Sequence, residues 1–217
     1  MTRAPLPVVI LISGRGSNMR AIVEQARAGR LPVDVRAVLS DRPDAPGLAW
    51  ARAQGIETAT VEASGHPDRA SHDRAMMALI DRHRPGLVVL AGYMRILSPP
   101  FVRHYAGRLI NIHPSLLPEF RGLHTHRRAL EAGRDEHGAS VHFVTEELDG
   151  GPLIARVRVP VLPGDDEARL AARVLEQEHR LYPEVIRWFA EGRLGWRDDG
   201  AWLDGRPLTG PVDLTPA

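Results

Sequence analysis

Between residues 7 and 91, short apolar runs alternate with amphipathic stretches of helical length. No other feature of the chain constrains its fold as strongly. Pro7 to Ile12 is apolar throughout and rich in β-branched residues, the pattern of a strand buried on both faces. Ser13 to Ser17 reads as a turn. Asn18 to about Ala28 reads as a helix that Ser17 or Asn18 can cap and Gly29 can end. A second strand is predicted over Val33–Leu39, a helix over Gly47–Gln54 and a third strand over Glu57–Val61. A helical region follows from His66 to Arg84, with Ala75, Met76, Leu79 and Ile80 on its apolar face, and then a fourth strand from Leu87 to Ala91. This order predicts an α/β chain with a doubly wound, mostly parallel sheet, Rossmann-like in its N-terminal half. Such sheets take ligands at the carboxyl ends of their strands.

The second half departs from that rhythm. A short helix at Pro99–Tyr105 precedes a strand at Leu109–Ile112, which runs into His113-Pro114. Leu116 to Gly122 is loop-like, and His124–Ala132 is helical. Two strands, His137–Val144 and Leu153–Val161, are joined by the acidic, Gly-rich connection from Thr145 to Gly151. A long helix from Asp165 to Phe189 is interrupted at Pro183, and the last 22 or so residues read as a small hairpin and a frayed, Pro-rich end. With no repeat, low-complexity tract or linker, all 217 residues are expected to form a single domain.

Composition narrows the chemistry. The chain has no Cys, which removes thiolate nucleophiles, disulfides and cysteine metal sites. It has no Lys, so an internal Schiff base and a lysine-bearing phosphate loop are excluded. A net charge of +1, without a basic stripe, argues against a nucleic-acid binder. No apolar run approaches the ~18 residues of a membrane span, and the first apolar stretch is short and ends in a turn, so a cytoplasmic protein with no membrane association is expected.

Several segments could carry chemistry. In Gly14-Arg15-Gly16-Ser17-Asn18, glycines and a following helix would favour a phosphate, or form a tight turn without a ligand. The dinucleotide pattern Gly-x-Gly-x-x-Gly fails, because Met19 stands at its third glycine. Asp41 is either a ribose-binding acid or a surface-loop aspartate. Strand alternation puts Asn111 and His113 on one side of the chain. An amide and an imidazole facing one cleft suit acyl transfer, although a histidine capping a strand end is equally open. Asp149 beside His113 would hold its tautomer and favour its charged form; otherwise it is a solvated loop aspartate. Met94 to Leu97 could line a slot for a flat heterocycle or form a packing corner. His124, His126, His137 and His142 lack the spacing of a metal site, so no metal is expected. His137 and His142 are expected to satisfy backbone groups or line the cleft wall. Glu178 by itself reads as a helix residue in solvent.

Taken together, Ile12–Asn18, Ala91–Leu97, Asn111–Pro118, Ser140–Val144, Asp149–Gly151 and Gln177–His179 resemble the folate-dependent formyltransferase family. Within it they resemble the phosphoribosylglycinamide formyltransferases (glycinamide ribonucleotide transformylases), over roughly residues 7 to 205. The resemblance implies the formyltransferase fold, 10-formyltetrahydrofolate as co-substrate, and glycinamide ribonucleotide as formyl acceptor in purine synthesis. It implies a phosphate-binding half over about 1–100, a catalytic and folate-binding half over about 101–195, and a C-terminal hairpin and tail over 196–217. Asn111, His113 and Asp149 match the catalytic trio. Gly16, Ser17, Asn18 and Glu178 match ribonucleotide contacts. Arg69, Met94, Arg95, Ile96, Leu97, Asn111, Thr145, Glu146, Glu147, Leu148 and Asp149 match folate contacts. Leu175 departs from the polar residue common three positions before the Glu, so an Arg or backbone group must serve the phosphate instead. Glu119-Phe120-Arg121 varies a loop near the site. The chain is expected to act on small molecules as a monomer or homodimer. Sister enzymes of the fold, a methionyl-tRNA formyltransferase or a formylfolate hydrolase, would be expected to bring extra domains. A non-catalytic nucleotide-binding module, resting on Asp41, is the reading from another class.

Overall fold

The structure, a computed structural model, describes residues 4–198 and 200–216. Its centre is an eight-stranded sheet. The first half supplies β1 (Leu6–Ile12), α1 (Ser17–Arg27), β2 (Val33–Ser40), α2 (Pro46–Ala53), β3 (Glu57–Thr60), α3 (Arg69–Arg82) and β4 (Leu87–Leu90). The second half adds α4 (Pro99–His104), β5 (Leu109–His113), α5 (Thr125–Glu131), β6 (Glu136–Phe143), β7 (Leu153–Pro160) and α6 (Glu167–Ala190). A small second sheet holds β8 (Leu194–Arg197), β9 (Gly200–Leu203) and β10 (Arg206–Pro207), and β11 (Val212–Asp213) returns to the main sheet.

The strand order is β11-β7-β6-β5-β4-β1-β2-β3. Pairings are parallel except on the two sides of β6, which runs against β5 and β7. After β3 the chain crosses back to the far side of β1, so the winding reverses between β1 and β4. The crevice at the carboxyl ends of those strands is where open α/β sheets bind ligands.

The alternation of β1 explains why helices cover both faces. Val8, Ile10 and Ile12 point into one core, with Met19 and Ile22 of α1, Leu48 of α2 and Leu170, Val174 and Leu181 of α6. Val9 and Leu11 point into the other, with Met76 and Ile80 of α3 and Phe101 of α4. Each buried aliphatic side chain contributes about 1.5–3 kcal/mol relative to exposure.

Four local expectations need correction. No side chain caps α1: Gly16 stands at its N-cap in the left-handed region, at φ 67°. The helix predicted from His66 starts at Arg69, where the Asp68 carboxylate accepts from Ser71 N. Pro183 does not interrupt α6, which continues through 24 residues. Its missing N–H and ring cost ~3 kcal/mol in an isolated helix, but Leu181, Tyr182, Val185 and Ile186 around it are all buried. The C-terminal segment is not frayed over its described residues. Val212 and Asp213 pair with Ala155 and Arg156 of β7, and the Asp213 carboxylate meets both Arg156 (3.1 Å) and Arg158 (3.0 Å).

Candidate active site

The end of β5 carries Asn111 and His113, and the loop after β6 carries Asp149. The fold brings the three together. Asp149 Oδ2 lies 3.5 Å from His113 Nδ1, and both side chains are 8% exposed. The other ring nitrogen, Nε2, meets the Phe120 carbonyl at 3.0 Å. Asp149 is fixed in turn by Gly122 N, which donates to Oδ2 at 2.9 Å. Its backbone is left-handed at φ 49°, a conformation that aspartate tolerates better than most residues.

Asn111 is oriented from the neighbouring strand. The antiparallel register sets Asn111 opposite His142, and its Nδ2 lies 3.3 Å from His142 Nε2. His142 Nδ1 donates to the Phe143 carbonyl at 2.8 Å, so in the neutral ring Nε2 is the acceptor that receives the amide. Burial holds the His142 pKa below the usual imidazole value, which keeps the ring neutral. His142 Nε2 also stands 3.7 Å from Asp149 Oδ1.

Two cavities open beside the trio. The larger, about 460 Å³, is lined by Tyr93 to Ile96, by Asn111 and His113, by Leu123 to His126, and by Leu148 and Asp149. The smaller, about 100 Å³, adds Leu97, Val102, His142 and Thr145 to Glu147. Met94 and Ile96 are 70% and 57% exposed, an apolar rim at the mouth. The walls are tied across the opening, with Arg121 paired to Glu147 and Arg103 to Glu146. Of the expected folate contacts, Met94 to Leu97, Asn111 and Thr145 to Asp149 therefore line this space. Arg69 does not: it is exposed at the start of α3 and lines neither cavity.

Gly16, Ser17, Asn18 and Glu178 also lie outside both cavities. Asn18 and Glu178 nevertheless meet. Asn18 Nδ2 donates to Glu178 Oε2 at 2.7 Å, joining α1 to α6. Glu178 is not the solvated helix residue its spacing suggested. It is 6% exposed, and burial raises its pKa from 4.5 to about 7, with the Asn18 bond opposing the rise. On the same two helices Asn18 Oδ1, Arg20 Nε and His179 Nε2 are buried without a hydrogen-bond partner among the described residues. Most buried polar groups in folded proteins have a hydrogen-bond partner, so three on adjoining helices without one set this corner apart from the rest of the core. Gly16 suits the turn because its backbone is left-handed at φ 67°, where a residue with a Cβ is strained. This turn adjoins the cleft, since Ser13 N donates to the Gly92 carbonyl at 3.0 Å.

Asp41 accepts from Ser13 Oγ at 2.5 Å, which occupies it within the protein. His126 and His137 face each other at 3.2 Å, and burial lowers both pKa values, His137 to about 4. Among the described residues no group of three or more His, Asp or Glu is placed to hold a metal ion, and no helix is long and apolar enough to cross a membrane.

Sequence reasoning did not find three parts of this site: His142 as the partner of Asn111, the Phe120 carbonyl on His113, and Gly122 N on Asp149. The first depends on strand register and the others on loop return, neither of which leaves a local signal.

An amide, an imidazole and a carboxylate gathered at one end of a doubly wound sheet have the make-up that acyl transfer uses. The formyl transferase family profile matches residues 6–186, and the chain belongs to that family. The phosphoribosylglycinamide formyltransferase of Escherichia coli is 57% identical over 93% of this chain and 95% of its own length. The solved phosphoribosylglycinamide formyltransferase of Coxiella burnetii superposes with a TM-score of 0.93 at 48% identity, covering 96% of this chain and 99% of the other. A formyltetrahydrofolate deformylase from Pseudomonas syringae is more distant, at TM-score 0.84 and 28% identity, covering 91% of this chain and 65% of the other.

Proposed function

We propose that this chain transfers the formyl group of 10-formyltetrahydrofolate to the amine of glycinamide ribonucleotide, giving formylglycinamide ribonucleotide and tetrahydrofolate in purine synthesis. The observation that carries this reading is the convergence of Asn111, His113 and Asp149 at the wall of the 460 Å³ cleft. Its support among relatives is the 57% identity to the Escherichia coli enzyme of that name.

In the proposed chemistry the acceptor amine attacks the formyl carbon, and the carbonyl π pair moves to oxygen. Asn111 and protonated His113 stabilise that oxyanion; loss of one such donor costs about 2.7–4 kcal/mol. The oxygen lone pair then re-forms the carbonyl and the bond to folate N10 breaks. His113 supplies the proton to N10, and the proton that the acceptor nitrogen loses returns to His113, so none is gained or lost overall. Asp149 orients the imidazole from its Nδ1 side. Its 3.5 Å separation from Nδ1 exceeds a direct hydrogen bond, so this side of the ring is the looser one and the natural route for proton relay. Much of the remaining acceleration comes from holding two substrates in register. Residues 92–98 and 144–149 form the folate seat, and the turn at Gly16 with Asn18 and Glu178 forms the ribonucleotide seat. With Leu175 apolar, Arg15 in the turn and the turn's backbone N–H groups meet the phosphate. The chain works as one formyltransferase domain, in the cytoplasm, as a monomer or homodimer.

The test is to mix the protein with 10-formyltetrahydrofolate and glycinamide ribonucleotide and follow loss of the formylfolate. His113→Ala and Asp149→Asn lower kcat by ~10²–10⁴ while folate still binds. Near-normal turnover in both would refute these roles. Formate release at the same rate without the amine would favour a hydrolase.

A further inference from the structure

The stretch from Gly92 to Ser98 passes from the end of β4 to the start of α4 and belongs to no helix or strand. It is a wall of the cleft, because Tyr93, Arg95 and Ile96 line both cavities. An irregular segment with exposed side chains is ordinarily held by water and is mobile. Here side chains from distant elements fasten it near both ends. At the first, Met94 N donates to Ser13 Oγ at 2.8 Å, and the same hydroxyl donates to Asp41 Oδ1 at 2.5 Å. At the second, Ser98 N donates to Asp73 Oδ2 at 2.6 Å.

The second fastening is built deep. Asp73 is 1% exposed on α3, with His72 Nδ1 3.2 Å from its other oxygen, and His72 Nε2 meets the Val61 carbonyl at 2.8 Å. A buried carboxylate is costly unless hydrogen-bonded, and bonds from backbone N–H to a carboxylate are about twice as strong as neutral ones. Tyr93, next to the first fastening, is 8% exposed. Both anchors arise from strand ends or helix faces other than those that carry Asn111, His113 and Asp149.

We infer that Ser13, braced by Asp41, and Asp73 are positioning residues that fix the Gly92–Ser98 wall and thereby the seat of the formylfolate ring system. The inference rests on the folate reading of the cleft. Because the wall and the reacting trio are anchored separately, releasing the wall weakens formylfolate binding and leaves the chemical step intact.

Steady-state kinetics on the full chain test this with Ser13→Ala, Asp73→Ala and the conservative Asp73→Asn, which keeps an acceptor for Ser98 N. Ser13→Ala and Asp73→Ala are expected to raise KM for 10-formyltetrahydrofolate about tenfold, equivalent to ~1.4 kcal/mol. The saturated kcat and KM for glycinamide ribonucleotide stay within about twofold, and Asp73→Asn recovers most of the loss. Should Asp73→Ala fail to fold, Ser13→Ala decides. An unchanged formylfolate KM in folded Ser13→Ala, or KM for both substrates and kcat moving together, overturns the inference. Wild-type protein that consumes no formylfolate defeats the reading of the cleft and the inference with it. Wild-type turnover beside unchanged variants defeats the inference alone.

Discussion

Replacing Glu178 by Gln should stabilise the protein above neutral pH while damaging ribonucleotide binding. The carboxyl lies on α6 with Asn18 as its hydrogen-bond donor, and burial lifts its pKa from 4.5 to about 7. Below pH 4.5 the group is protonated in both the folded and unfolded chains and imposes no charge penalty. As pH rises toward 7 the unfolded chain releases the proton and the folded chain retains it, so stability falls across this window and levels off above it. At ~1.36 kcal/mol per pKa unit, the ionised carboxylate lowers stability by about 3 kcal/mol above pH 7. Glutamine does not titrate, and Asn18 can present its unpartnered Oδ1 to the new amide. Urea denaturation of both proteins from pH 4 to pH 8 measures the difference. The variant's advantage should be near zero at the acid end and grow to about 3 kcal/mol at the alkaline end. In turnover assays its KM for glycinamide ribonucleotide should rise, since a hydrogen bond to a charged group is worth about 1.5–3 kcal/mol. A stability difference that does not vary with pH would refute the burial argument, and an unchanged KM would remove Glu178 from the binding site.

Other substitutions separate the parts of the site. Gly47→Ala places a Cβ 3.0 Å from the Gly14 carbonyl and 3.1 Å from that of Arg15, so it should displace the turn proposed to hold the phosphate. It is expected to cost about 1–3 kcal/mol of stability and to raise KM for the ribonucleotide but not for formylfolate, as read by kinetics with each substrate varied. His142→Phe removes the acceptor that orients Asn111. It should lower kcat with little change in formylfolate KM, and an unaltered kcat would show that Asn111 needs no such partner. Tyr182→Phe deletes a buried hydroxyl that donates to the Leu90 and Ile110 carbonyls, at 2.8 and 3.1 Å. Urea denaturation should show a loss of about 1–3 kcal/mol.

The regular part of the fold was legible because its signals are local. A strand buried on both faces must be apolar at every position, as Val8 to Ile12 is, and amphipathic stretches between such strands must cross over them as helices. The glycines at the first turn and the Asn-x-His pairing at the end of β5 are likewise short-range, so their places could be named in advance. Less was legible where long-range packing overrides local preference. Pro183 forbids one helical hydrogen bond, yet burial on both sides carries α6 through it. Val212 and Asp213 have no strand signal of their own, and they pair only because β7 offers an edge and two arginines.

By itself, then, the order of residues determined the doubly wound sheet, the turn at Gly16 and the presence of Asn111 and His113 on one side of a strand. Tertiary structure alone decided that β6 runs antiparallel and sets His142 opposite Asn111, that Asp149 comes back to within 3.5 Å of His113, and that Glu178 is buried against Asn18. Backbone periodicity is written in neighbouring residues. Proximity between residues dozens of positions apart exists only once the packed chain has closed its loops, and the burial that tunes their charges arises at the same moment.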